Sequence, residues 1–294
     1  MLAPTVKLND GTSMPSLSFG TGTAVKIGGE CTELVLEALK IGYTCIDTAQ
    51  QYGTAGSVGE ALKRWGGRRE EVYIVTKCAS SWCADSPDRS LPDATVLTRQ
   101  LGVDYVDMYL VHSPFYTGEL SLVENWKVME QLRAEGLCKS IGVSNYREED
   151  LLAIKDVWSV PPAVNQIEFN PYIAHAPNMQ RLLKLCKDLD IKVEAYGPLN
   201  SVFRSTGGPL DPVVDKIAKA KGATPPQILL RWALQYSGGI AVTTSRNSER
   251  QNEQLAGVST VPALTEDEVE EIAEAGKGRF YRHFQTKVWD SAMP

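Results

Sequence analysis

Short apolar runs alternate with stretches of helical periodicity along almost the whole chain. The strand-like runs are residues 16–19, 43–47, 72–76, 105–111, 139–143, 163–168, 192–196 and 239–243. They favour Val, Ile, Tyr and Thr, residues that fit a buried, pleated surface. Between them apolar positions recur at helical spacing, as in Leu34, Val35, Ala38 and Leu39, which close at Gly42. Ser57–Glu60, Ser121–Glu124 and Thr224–Gln227 have the spacing of capping boxes and predict helix starts. Further helices are predicted near 94–101, 151–154, 182–185, 248–255 and 266–274. Residues 6–15 read as a hairpin, with Asp10-Gly11 supplying the positive φ angles of its turn. About eight strand–helix repeats make the fold class α/β, a (β/α)8 barrel, and no linker divides residues 1–294 into more than one domain.

The polar residues that end these runs carry the chemistry. The run 43–47 stops at Asp47, with Tyr52 in the loop beyond; 72–76 leads into Lys77, and 105–111 into His112. An unpaired carboxylate is costly in a core, so Asp47 is expected at a strand end facing a cation. A barrel places its active site at the carboxyl ends of its strands, where these residues fall. A lysine cation favours the phenolate of a neighbouring tyrosine, and an imidazole can orient a carbonyl oxygen. The set suits protonating an oxygen that becomes an alkoxide, with hydride supplied by a cofactor. Taken singly, each residue has a plain structural reading: a strand-end ion pair, a satisfied core histidine, an isolated tyrosine. A Rossmann domain is disfavoured, because Gly20-Thr21-Gly22 lacks its third glycine and Gly53, Gly56 and Gly59 are wrongly spaced.

Composition narrows the function classes. A net charge of −6 over 294 residues argues against a nucleic-acid or membrane-surface partner. No apolar run has the length of a membrane span, and the first residues lack signal-peptide design. The six cysteines form no CxxC pair and no metal spacing, so reduced thiols in the cytoplasm are expected and no metal site. The expected partner is a small-molecule carbonyl substrate, and the expected oligomeric state a monomer or weak dimer.

Five ordered motifs together resemble the aldo-keto reductases: Asp47-Thr48-Ala49-Gln50-Gln51-Tyr52, Thr76-Lys77, Asp104 through His112, Gly142-Val143-Ser144-Asn145 and Asn165-Gln166-Ile167-Glu168. The resemblance implies a (β/α)8 barrel with an extended nicotinamide cofactor, Tyr52 as general acid, Lys77 and Asp47 tuning it, and His112 positioning the carbonyl. By the same resemblance Ser144, Asn145 and Gln166 hold the nicotinamide carboxamide, and Tyr196 stacks on its ring. At the adenosine end, Thr244 replaces the lysine usual in relatives, while Arg250 matches their phosphate-site arginine. Ser245 and Arg246 adjoin it, and Glu253 and Gln254 stand where relatives contact adenine. NADPH is the expected cofactor, with NADH also possible.

The pocket departs from the commoner relatives. Ala79 and Ser113 replace tryptophans, and Trp82 lies three residues beyond Ala79, which implies a roomier pocket. The Val242-Thr243-Thr244-Ser245 and His112-Ser113-Pro114-Phe115 segments are similar to a fungal subgroup acting on α-keto amides, α-keto lactones and conjugated diketones. The alternative is a non-catalytic, nicotinamide-binding regulatory subunit on the same barrel. The resemblance implies that residues 276–294, with Phe280, Tyr281, His283 and Trp289, border the active site; the alternative is a packed terminus.

Overall fold

A computed structural model describes residues 2–23, 29–78, 100–115 and 120–289. Ten strands are described: β1 Thr5–Lys7, β2 Ser13–Pro15, β3 Leu17–Gly20, β4 Cys45–Asp47, β5 Tyr73–Lys77, β6 Val106–Val111, β7 Cys138–Ser144, β8 Val164–Glu168, β9 Lys192–Tyr196 and β10 Ile240–Thr243. β3 to β10 close a parallel barrel in sequence order, with β10 pairing β3. A chain of adjacent parallel pairs needs a crossover between each two strands, which the described helices provide at every step except β5 to β6, whose connection lies mostly outside the described residues. Each run ending in a polar residue therefore ends at the same rim. Among the described residues no helix is long and apolar enough to cross a membrane.

The helices pack their apolar faces on the barrel. Helix α1, Thr32–Ile41, buries Val35, Leu36, Ala38 and Leu39 and ends where Gly42 takes φ +117°. Truncating one such leucine to alanine costs about 2–5 kcal/mol. Helix α2, Ala55–Trp65, begins before the box at Ser57–Glu60, which falls inside it. The residue ahead of it, Thr54, shares its hydroxyl with Thr21 (2.9 Å) and Thr48 (3.1 Å), fixing the helix start against two rim loops. The box at Ser121 does form, opening α3, Leu122–Ala134, with Glu124 accepting the Ser121 N–H at 2.8 Å. Next come α4, Glu148–Lys155, α5, Pro171–Ala174, and α6, Pro177–Asp188.

Two short or unexpected helices follow: α7, Asn200–Phe203, and α8, Leu210–Lys221. Helix α8 buries Leu210, Val214, Ile217 and Ala218 and stops at Gly222. Its Pro212 sits in the first turn, where a missing N–H is harmless. Thr224 then opens α9, Pro225–Ser237, with its N–H donated to Gln227 Oε1 at 3.0 Å. The chain ends through α10, Ser248–Ser259, α11, Glu266–Gly276, and α12, Thr286–Trp289. Of the helix expected near 94–101, all but its last two residues lies outside the described residues.

The β1–β2 hairpin covers the amino-terminal mouth of the barrel. Leu8 and Met14 join Cys45, Val75, Met108, Leu110 and Ile240 in a buried cluster. Asn9 donates to Pro162 O at 2.9 Å, and Thr12 and Ser140 share a hydroxyl contact of 2.9 Å. In the turn only Gly11 takes positive φ, +87°; Asp10 does not, because its carboxylate accepts the Thr12 N–H at 2.9 Å. The five described cysteines are free and buried.

Candidate active site

At the carboxyl-terminal rim a cavity of about 500 Å³ opens over the barrel axis. Its base is an ion pair. Lys77, fully buried at the end of β5, donates to Asp47 Oδ1 and Oδ2 at 2.8 and 2.7 Å and to Thr48 O at 3.1 Å. The register makes this possible: Asp47 lies beside Val75, so Lys77, two residues on, reaches back across one strand spacing. Burial opposes the Lys77 ammonium, but Asp47 and Tyr52 more than offset it and hold its pKa above the ordinary lysine value.

Tyr52 follows in a single 3-10 turn, Gln50–Tyr52, and leans over this pair, with the ammonium 5.1 Å from its ring centroid. Its ring packs where a Cβ on Gly22 would stand, 2.7 Å from the nearest ring carbon. Burial raises the phenol's pKa; the charge and hydrogen bond of Lys77 pull it down, and the net direction is up. Lys77 thus favours the phenolate as expected, but desolvation by the pocket is the larger effect. His112 meets Tyr52 edge-on at 5.5 Å. Burial first and Lys77 second press its pKa down to about 3, so the imidazole is neutral at ordinary pH.

Beneath these groups lies a second carboxylate that pattern reasoning passed over. Glu194, fully buried in β9, accepts from Gln166 Nε2 at 2.9 Å and from Ser18 Oγ at 3.2 Å. The same Gln166 Nε2 donates to Asp47 Oδ2 at 2.8 Å. Burial and the nearby Asp47 raise the Glu194 pKa to about 7, against the pull of Gln166, Lys77 and Ser18. The available signal was a carboxylate in the middle of a strand, whereas Asp47 stands at a strand's end.

The remaining expected residues divide into two groups. Ser144, Asn145, Gln166, Tyr196 and Ser113 line the cavity beside the ion pair. Asn145 adopts φ +62°, and its amide is engaged: Nδ2 donates to His112 O (3.0 Å) and Ser144 Oγ (3.1 Å), and Oδ1 accepts the Tyr196 hydroxyl at 2.8 Å. With both Gln166 N–H groups on carboxylates, Oε1 is the atom it offers to a ligand. Farther along, Thr244 and Gln254 line the cavity, and Thr244 Oγ1 and Gln254 Oε1 are buried without a hydrogen-bond partner among the described residues. These two unpartnered polar atoms in the cavity wall fit a polar ligand such as a dinucleotide.

Ser245 is half-buried, while Arg246 and Arg250 are exposed at the start of α10. Glu253 points away, its carboxylate accepting from Thr224 at the start of α9. Ala79 and Trp82 lie outside the described residues. From the tail, Phe284 and Gln285 line the cavity, Phe284 meeting Tyr196 edge-on at 5.7 Å. Phe203 and Arg204, just past Tyr196, also line it and were not anticipated. Among the described residues no three His, Cys, Asp or Glu side chains group as metal ligands.

Known proteins resemble this chain in sequence and fold. Residues 17–277 match the model of the aldo/keto reductase family. An aldo-keto reductase of Mycolicibacterium smegmatis is 37% identical over 95% of this chain and 93% of its own length. An NADPH-dependent alpha-keto amide reductase of Saccharomyces cerevisiae is 36% identical over 92% of this chain and 89% of its own. An NAD/NADP-dependent indole-3-acetaldehyde reductase of Schizosaccharomyces pombe is 34% identical over 93% and 96%. The crystal structure of a Bombyx mori aldo-keto reductase in complex with NADP superposes with a TM-score of 0.84 at 30% identity, covering 99% of this chain and 97% of that one. With the closed barrel and its rim cavity, these matches show that the chain belongs to the aldo/keto reductase family.

Proposed function

We propose that this oxidoreductase reduces ketones and aldehydes to alcohols with NADPH, Tyr52 acting as the general acid. The observation that carries the reading is one cavity wall holding Tyr52 over the buried Lys77–Asp47 pair with His112 alongside. When bound, a reduced nicotinamide supplies the hydride. Gln166 Oε1 and Ser144 would hold its carboxamide, and the Tyr196 ring would stack against it. Asn145 fixes Tyr196 through the 2.8 Å hydroxyl bond rather than serving chiefly as a ligand group.

The raised pKa keeps Tyr52 protonated at neutral pH, so the proton is in place before reaction. As charge builds on the substrate oxygen, that oxygen becomes far more basic than the phenolate, and the proton moves to it from Tyr52 Oη. Lys77 then faces the phenolate and stabilises it in a poorly solvated site. His112, being neutral, orients the carbonyl by hydrogen bonding without adding charge.

Activated carbonyls such as α-keto amides, α-keto lactones and diketones are the proposed substrates. The 36% identity to the yeast alpha-keto amide reductase supports this class. NADPH is preferred because Arg246 and Arg250 flank the amino terminus of α10, which with two guanidiniums suits a phosphate dianion. The pombe relative's name, which covers NAD and NADP, supports secondary use of NADH. The test follows NADPH absorbance with a diketone and an aromatic aldehyde, using Tyr52→Phe as control. We expect wild-type turnover with both and a fall in kcat of about 10²–10⁴ in the variant, with cofactor binding retained. Full turnover by Tyr52→Phe removes the acid role; tight NADPH binding without turnover of any carbonyl favours the regulatory subunit.

A further inference from the structure

Glu168, the last residue of β8, lies outside the proton-transfer set yet is buried one strand from Tyr196, its register partner on β9. Its carboxylate accepts three hydrogen bonds from two separate segments. Oε1 takes the Asn200 Nδ2 group at 2.9 Å and the His283 N–H at 2.8 Å; Oε2 takes the Phe284 N–H at 2.7 Å. Asn200 begins α7, which carries Phe203 on into the cavity wall, and it packs so closely on Gly197 that a Cβ there would meet Asn200 Nδ2 at 2.6 Å. The tail residue Phe284 lines the same cavity and rests edge-on against Tyr196 at 5.7 Å.

The two segments lie far apart in sequence; besides Glu168, the Arg279 guanidinium joins them, donating to Ser205 O and Oγ, Thr206 O and Gly207 O. Backbone N–H donors to a carboxylate are charge-assisted and directional, so one side chain fixes both positions at once. The tail is also anchored at its far end, where Trp289 is buried under Arg282 (4.8 Å) and its carbonyl accepts from Asn178 at 2.9 Å. Loss of the carboxylate would therefore free the 282–285 stretch without detaching the terminus.

We propose that Glu168 is a positioning residue that clamps the tail and the 197–204 loop into one cavity wall and so sets which carbonyl substrates bind productively. The inference rests on the carbonyl-reductase reading above. A substrate wide enough to touch Phe284 feels the clamp; a small aliphatic diketone, needing only the rim beside Tyr52, does not.

The experiment compares the wild-type holoenzyme with Glu168→Gln and Asn200→Ala, using a phenyl-substituted diketone and a small aliphatic one. In Glu168→Gln the KM for the phenyl substrate rises about tenfold, the scale of a lost charge-assisted hydrogen bond, at little-changed kcat. The small substrate keeps its kcat/KM within about twofold, since its transition state makes no contact with the wall. Hydrogen exchange in the peptide over 280–289 accelerates, and Asn200→Ala shifts KM the same way by less. In a Phe284→Ala background Glu168→Gln raises KM no further, because the group it positions is gone. Equal losses for both substrates, unaltered exchange in the tail, or additivity with Phe284→Ala overturns the clamp. If Glu168→Gln does not fold, Asn200→Ala alone decides by the same KM contrast and exchange. If the wild type reduces neither diketone, the carbonyl reading fails, and the exchange comparison still decides the clamp.

Discussion

Lys77 illustrates how far a single residue depends on its neighbour. A fully buried ammonium is tolerable because Asp47 offers both oxygens within 2.8 Å. Replacing Asp47 by Asn leaves that cation uncompensated, and we expect a loss of about 3–5 kcal/mol in urea unfolding, beyond any effect on turnover. A variant as stable as wild type would show that water or Glu194 takes over the pairing. Asp47, Lys77 and His112 were legible in the sequence because each is a polar residue terminating an apolar run, and barrel topology gathers such ends. Glu194 was not, although equally polar, because it sits inside its strand. Inward and outward positions of a barrel strand alternate, and nothing in a five-residue run says which set faces the axis. Gln166 was expected as a ligand group, but its N–H groups serve the two carboxylates first.

Among the elements, the strands were read to within a residue or two, since each is a compact apolar run. Helix α8 escaped notice despite buried positions at Leu210, Val214, Ile217 and Ala218. Pro209 and Pro212 mask its helical start, although proline at the cap and in the first turn is compatible with helix. The short α7 and the tail segment were invisible as elements, because tertiary bonds to Glu168 rather than local propensity hold them. Helix α10 carries its own prediction. Its first turn is capped by Asn247, whose side chain accepts the Arg250 N–H at 2.9 Å, leaving the Arg250 guanidinium exposed for a phosphate. Arg250→Ala should raise the KM for NADPH about tenfold and leave that for NADH nearly unchanged, as steady-state titration of each cofactor would show. Equal effects on both cofactors would place the extra phosphate elsewhere.

For the molecule as a whole, we propose that residues 1–294 form one domain that unfolds as a unit, which coincident fluorescence and circular-dichroism transitions would test. Its stability carries the signature of the buried Glu194. A carboxyl whose pKa rises from 4.5 to about 7 on folding binds more protons in the native state across that interval. Its stabilising contribution is therefore complete below pH 4.5 and is lost as pH rises through about 7. Relative to Glu194→Gln, the wild type should lose stability between those limits in urea titrations at successive pH values. His112 runs the opposite way: its depressed pKa gives stability present above 6.5 and lost as pH falls toward 3, in both proteins. A difference between wild type and variant that does not vary with pH would rule out protonation of Glu194. The hairpin beneath the barrel has a different consequence. Among the described residues, Leu8 and Met14 stopper one end of the barrel, and the cavity opens at the other. A carbonyl substrate is then expected to enter with its reactive carbon leading toward Tyr52. Extensions at the far side of the carbonyl therefore lie toward the mouth rather than the stopper, and turnover of a chain-length series of diketones should vary less with length than with branching beside the carbonyl.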